Sequence, residues 1–172
     1  LITDQRMIRI CTSLSQAGYE VELVGRRLQE TESPARPYAQ RRMRFVINSG
    51  PLFYFIYNIR LFFYLLFKPF DVVHAVDLDT LPACYLAAYL KSAKVIYDAH
   101  EYFTEVPELV NRKWVQRTWK SIERWIFPKL TQVITVNNSI ANLNDEEYGI
   151  RPVVVRNIAP EVKIREAMPD KA

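Results

Sequence analysis

Between residues 4 and 17 the apolar side chains Met7, Ile8, Cys11 and Leu14 return every three or four positions, the period of one buried helix face. Asp4 stands where an N-cap belongs, and Gly18 where a left-handed residue ends a helix. Val21, Leu23 and Val24 then run into Gly25 as a short strand. Residues 26–40 hold Pro34, Pro37 and no apolar period, so they read as a loop. A strand is predicted over 42–48, and Ser49, Gly50 and Pro51 turn the chain into a helix over 52–67. That helix is apolar almost all round, the pattern of a buried one.

The second half is more regular. Strands are predicted over 71–76, 93–97, 131–136 and 152–155. Between them lie a helix over 80–91, capped by Thr80 with Pro82 in its first turn, and a long helix over 108–127 that follows a loop at 99–107. A further helix is capped by Ser139 and stops at Gly149. Strands alternating with helices at this spacing give right-handed βαβ units, hence an α/β, Rossmann-like, doubly wound parallel sheet with helices on both faces. Residues 1–158 read as one such domain, and the charged, proline-bearing segment 159–172 as a tail or linker. The pattern opens on a helix, whereas such a sheet normally starts with a strand in its central slot. An open slot exposes two strand edges, so pairing into a homodimer is expected.

Composition changes this picture little. Apolar residues at 49% and charged residues at 24% suit a globular domain, and 172 residues suffice for one core. Cys11 and Cys84 lie far apart with no metal-spaced partner, so both read as small core residues. The four glycines form neither G-x-G-x-x-G nor a Walker loop, which argues against a conventional dinucleotide or P-loop site and leaves helix N-termini for any phosphate. A net charge of +4 favours anionic surroundings without choosing among them. Arg36, Arg41, Arg42 and Arg44 precede the aromatic helix with Arg60 and Lys68. Such a cluster fits a solvated loop beside a buried helix, a membrane surface or single-stranded nucleic acid. The stretch 51–70 approaches a membrane span, but Asn58, Arg60 and Lys68 interrupt it. The start carries no apolar leader, so a cytoplasmic location is expected.

In open parallel sheets ligands collect at the carboxyl ends of the strands. Asp77, Asp79 and Thr80 follow one predicted strand, and Asp98, His100 and Glu101 follow the next. The carboxylates can accept hydrogen bonds from sugar hydroxyls, or they can cap a helix and settle a loop. His100 can donate a hydrogen bond to a substrate or a developing anion. His74, inside a strand with β-branched neighbours, reads as a core or half-buried histidine.

These residues resemble a known family. The segments Thr3 to Arg6, Gly18 to Val21 with Val24 to Arg26, Asp71 to His74 with Asp77 to Leu81, and Tyr97 to Phe103 carry the likeness. Val133 to Val136, Ser139 to Ala141 and Val153 to Asn157 extend it over nearly the whole chain. The chain is similar to the amino-terminal, acceptor-side domain of retaining group 1 (family four) glycosyltransferases of the two-domain GT-B fold. The resemblance implies transfer of a sugar from a nucleoside diphosphate donor with retention, without metal or resident cofactor. It implies that His100 touches the donor sugar near the reacting carbon, and that Asp4, Gln5, Arg6, Asp77 and Asp79 line the acceptor. Asp98 and Glu101 join them as substrate-binding candidates. It further implies a bacterial, cytoplasmic enzyme of envelope polysaccharide synthesis, with a sugar or lipid-linked acceptor and contact with the inner face of the membrane. The nucleotide-sugar site would lie in a second domain, so this chain alone is expected to be inactive. The alternative is a binding module without chemistry for a membrane-bound acceptor or a protein partner; nucleic acid is not an expected partner.

Overall fold

The computed structural model describes residues 4–27, 34–106 and 112–158. In chain order the elements are α1 (Gln5–Gln16), β1 (Glu22–Arg26), β2 (Ala39–Met43), α2 (Gly50–Phe67), β3 (Val72–Val76), α3 (Leu81–Lys91) and β4 (Lys94–Ala99). There follow a 3-10 turn (Phe103–Glu105), α4 (Lys113–Ile126), a second 3-10 turn (Phe127–Lys129), β5 (Val133–Thr135), α5 (Asn138–Tyr148) and β6 (Val153–Val154). The tail expected over 159–172 and the first turns of the helix expected from 108 lie outside the described residues.

Every strand pairing is parallel, as the alternation of strands and helices requires. The hydrogen bonds divide the strands into two sheets, β1-β2 and β3-β4-β5-β6. Alternation along β3 assigns the two faces. Val73 and Ala75 join the large core with Leu61, Leu65, Ala87 and Ala88 of α2 and α3. Val76, on the opposite face, meets Met7, Cys11, Leu23 and Tyr38, which places α1 on the other side and against both sheets. Helices therefore flank the sheets on both faces, and the fold is α/β and Rossmann-like. Cys11 and Cys84 are buried free thiols, as expected of small core residues.

Three local expectations need correction. The second strand is Ala39–Met43 and not 42–48, because pairing starts where the Ala39 N–H donates to the Val21 carbonyl. The apolar run beyond it leaves the ladder: Phe45 packs edge-on against Phe53 and Tyr57, and Val46 is wholly exposed. Thr80 does not cap α3 with its side chain; its hydroxyl donates back to the Val76 carbonyl at 2.7 Å. The cap of the helix before Gly149 is Asn137, which accepts from the Ile140 N–H at 2.9 Å, and not Ser139.

Helix α2 also departs from the buried helix its composition predicts. Phe53, Tyr57, Leu61 and Leu65 form its buried row, whereas Leu52, Phe55, Ile59, Phe63 and Phe67 are exposed on the opposite side.

Candidate active site

Strands β3 and β4 are neighbours, so their carboxyl ends meet at one edge, and the Asp77 N–H donates to the Asp98 carbonyl across it. The link from β3 to α3 is only four residues long. Its middle is pinned by Leu78, which is fully buried, and its end by the Thr80 hydroxyl on Val76. Asp77 absorbs the resulting turn with φ at 58°, a left-handed conformation costing about 1–2 kcal/mol for an L-residue. Strain of this kind persists where the surroundings fix it, and it clusters at functional sites.

The turn brings the Asp77 carboxyl against the loop that follows β4. Its Oδ1 lies 3.1 Å from His100 Nδ1, with both side chains about a quarter exposed. The approach is close but misaligned, so both atoms are buried without a hydrogen-bond partner. Burial, followed by the charges of Asp79, Glu101, Asp98 and Asp4, pushes the Asp77 pKa up to about 8. A carboxyl with so high a pKa favours its protonated form at neutral pH, and it stands close to Nδ1 without a formed hydrogen bond between them.

Of the other expected site residues, Asp79, Glu101, Asp98 and Asp4 lie near enough for their charges to act on Asp77. Asp79 is partly buried. Burial raises its pKa to about 6, opposed by Arg26 and by the N–H groups of Asp79 and Thr80. Its carbonyl accepts from Asn58 of α2. Asp4 caps α1, accepting from the Met7 N–H at 3.1 Å, and its charge reaches Asp77. Gln5 and Glu101 are exposed, Glu101 next to His100 in the same loop. Arg26, at the carboxyl end of β1, joins the acidic rim through its field on Asp79, a role that reading it as the start of a loop missed.

Arg6 and Asp98 use their charges on each other. Arg6 Nε and Nη2 donate to the two Asp98 carboxylate oxygens at 2.8 and 2.9 Å, and Nη1 donates to the Val155 carbonyl at 2.8 Å. His74 Nε2 stands 3.4 Å from Asp98 Oδ2. Asp98 has no exposed surface and Arg6 only 6%, so this network presents neither side chain to a ligand. Burial would raise the Asp98 pKa, but the hydrogen bonds and charges of His74 and Arg6 hold it below the usual carboxylate range. The expected substrate contacts of Arg6 and Asp98 are thus replaced by a bolt that ties α1 to β4 and to the strand edge after β6. His74 is half-buried, as its strand position predicts.

The raised Asp77 pKa has a measurable consequence. A carboxyl whose folded pKa lies above its unfolded value binds its proton more tightly when folded. Its contribution to stability is complete below 3.8 and is lost as pH rises through about 8. Across that window stability from this group falls by up to about 1.4 kcal/mol per pH unit. Asp77→Asn keeps a neutral side chain that tolerates positive φ. Thermal unfolding should therefore show the variant close to the parent below pH 3.8, with its advantage growing as the pH rises to about 8. Equal midpoints at pH 9 would mean that Asp77 ionises normally.

Parallel strands, flanking helices and a polar rim at adjacent strand ends define a Rossmann-like α/β domain with a candidate site at its strand ends. The family model for Glycosyltransferase Family 4 matches residues 4–160, and the chain belongs to that family. No curated protein matches the chain. Membership makes this a glycosyltransferase-type domain, with a sugar donor and an acceptor as its substrates.

Proposed function

We propose that this domain forms the acceptor side of a two-domain transferase that moves a sugar from a nucleoside diphosphate donor with retention of anomeric configuration. The observation that carries the reading is the Asp77–His100 pair at the rim of a family-four domain. While Asp77 holds its proton, a small realignment lets the carboxyl donate to Nδ1, and the imidazole then carries its hydrogen on Nε2. The pair therefore supplies a fixed donor that can orient a sugar hydroxyl or meet charge developing on a departing diphosphate. When Asp77 ionises beside a neutral imidazole, Nδ1 takes the hydrogen and Nε2 is left an acceptor. Turnover should decline as pH rises through about 8. Asp79, Glu101, Asp4 and Gln5 offer acceptors around the rim for hydroxyls of the incoming sugar.

The test is transfer itself. The full-length protein, supplied with nucleotide sugars and sugar or lipid-linked acceptors, should give a product whose anomeric configuration, read by NMR, matches that of the donor. An inverted product would refute the retaining assignment. Nucleotide-sugar binding without turnover by any donor would favour a binding module. Residues 1–172 alone should show no transfer.

A further inference from the structure

The side chains of α2 are apolar except for Asn58, Arg60 and the hydroxyls of its tyrosines. Asparagine is a weak helix former, because its amide competes for backbone groups, so its place in the middle of a helix calls for a partner. Asn58 is partly buried and is bonded at both ends of its amide. Its Nδ2 donates to the Tyr54 carbonyl, one turn back, at 2.9 Å and to the Asp79 carbonyl at 2.8 Å. Its Oδ1 accepts from the Ala83 N–H at 3.1 Å. Two of these bonds leave α2 and grip the backbone on either side of the start of α3.

The start of α3 lacks a fastening of its own. First-turn N–H groups have no partner within their helix, and the side chain at the N-cap ordinarily accepts from one of them. Thr80 stands at the cap, but its hydroxyl is turned back onto the Val76 carbonyl, and Pro82 has no N–H to offer. Asn58 does for the Ala83 N–H, from a neighbouring helix, what Thr80 does not. The same amide holds the Asp79 carbonyl, which lies between the left-handed Asp77 and the helix. The turn is therefore tied at three points: the Asp77 N–H to the Asp98 carbonyl, the Thr80 hydroxyl to β3, and Asp79 to Asn58. A left-handed residue other than glycine persists only where its surroundings over-determine it, and of these hydrogen bonds Asn58 supplies the one that comes from another helix.

We infer that Asn58 is a positioning residue for the Asp77–His100 pair: it caps α3 from α2 and so fixes the turn that sets the Asp77 carboxyl 3.1 Å from His100 Nδ1. Its three bonds all go to backbone, so its effect on the reaction runs through Asp77. That effect rests on the proposed transfer, whereas the hold on the turn does not.

Asn58→Ser in the full-length protein tests both. The serine hydroxyl can satisfy itself on the Tyr54 carbonyl, while the bonds to Asp79 and Ala83 are lost. Leu65→Ala, in the buried row of the same helix, is the control for a general loss of stability. Hydrogen exchange over residues 77–80, read by mass spectrometry relative to that of β4, should quicken about tenfold in Asn58→Ser, the scale of one lost hydrogen bond, and not in Leu65→Ala. The kcat of Asn58→Ser should fall by about tenfold or more with KM little changed, since misplacement by an ångström can cost about a hundredfold. A released Asp77 also meets more water. That weakens the burial which, with the charges of Asp79, Glu101, Asp98 and Asp4, keeps it protonated, so the decline of turnover expected through about 8 should move to lower pH. Unchanged exchange over 77–80 overturns the inference, as does parent-like turnover at every pH in Asn58→Ser where His100→Ala is impaired. If His100→Ala is itself unimpaired, the transfer reading fails, and the exchange rates alone decide the hold of Asn58 on the turn. Should Asn58→Ser not fold, Asn58→Asp, which keeps an acceptor for the Ala83 N–H and loses the donor to Asp79, carries the same exchange test.

Discussion

Replacing His100 with Ala in the full-length protein is expected to lower kcat by about a hundredfold or more, the loss found when one preorganised transition-state donor is removed. The expectation rests on the proposed retaining transfer. In such a reaction positive charge grows on the sugar ring while negative charge grows on the leaving diphosphate. A donor placed where that charge develops acts more strongly in the transition state than in the ground state, so its loss falls on kcat and leaves KM little changed. Asp77 keeps the imidazole on station from 3.1 Å away, in a turn whose geometry α3 and β3 enforce. His74→Ala is the control. His74 is equally an imidazole near a carboxylate, but it faces Asp98 beneath the rim, and its loss should lower thermal stability without the kcat effect. If His100→Ala retained turnover near the parent value with its proper acceptor, His100 would be a loop-fixing side chain. If the fall appeared in KM alone, it would be a binding residue only.

What the sequence made legible, and what it hid, follows from how far apart the interacting groups lie. Val72–Val76 and Lys94–Ala99 are signalled by β-branched runs, and the adjacent polar clusters after them were placed at one rim by the rule for parallel sheets alone. Strand β2 is not legible in the sequence because Ala39–Met43 turns only Met43 fully inward, so its own pattern is polar, whereas the neighbouring Phe45, Val46 and Ile47 imitate a strand. The exposure of one α2 face was hidden for the opposite reason. A helix apolar almost all round gives little amphipathic pattern to read, and only the packing shows which row lacks a partner. The left-handed turn at Asp77 leaves no mark in the sequence, since no glycine announces it. The partnership of Arg6 with Asp98 spans 92 residues, beyond any local spacing rule. Charged residues at a helix start and a strand end look the same whether they await a ligand or each other.

Breaking that last pair from one side should cost the domain a large part of its stability. Among the described residues, strands β1 and β2 form a sheet separate from the four-stranded one, and the halves are joined through α1, α2 and their side chains. Arg6 is the buried charged part of that junction, reaching from α1 to Asp98 on β4 and to the Val155 carbonyl. Arg6→Met roughly preserves side-chain length but leaves the Asp98 carboxylate in a site without solvent. Breaking a buried pair from one side costs about 3–5 kcal/mol, because the remaining charge is uncompensated. Urea unfolding at pH 7 should show a loss of that size with an unchanged m-value. Changing both partners, Arg6→Met with Asp98→Asn, removes the stranded charge and should recover much of the loss. The pH dependence gives a second reading. Asp98 has its pKa lowered on folding, so its contribution is present above its unfolded value of 3.8 and is lost as pH falls through the folded value. The parent should therefore lose stability on acidification below 3.8 more steeply than the double variant. A single variant as stable as the parent at pH 7 would mean that Asp98 is satisfied without Arg6, and that the apolar contacts of Met7, Cys11 and Val76 hold the two sheets together by themselves.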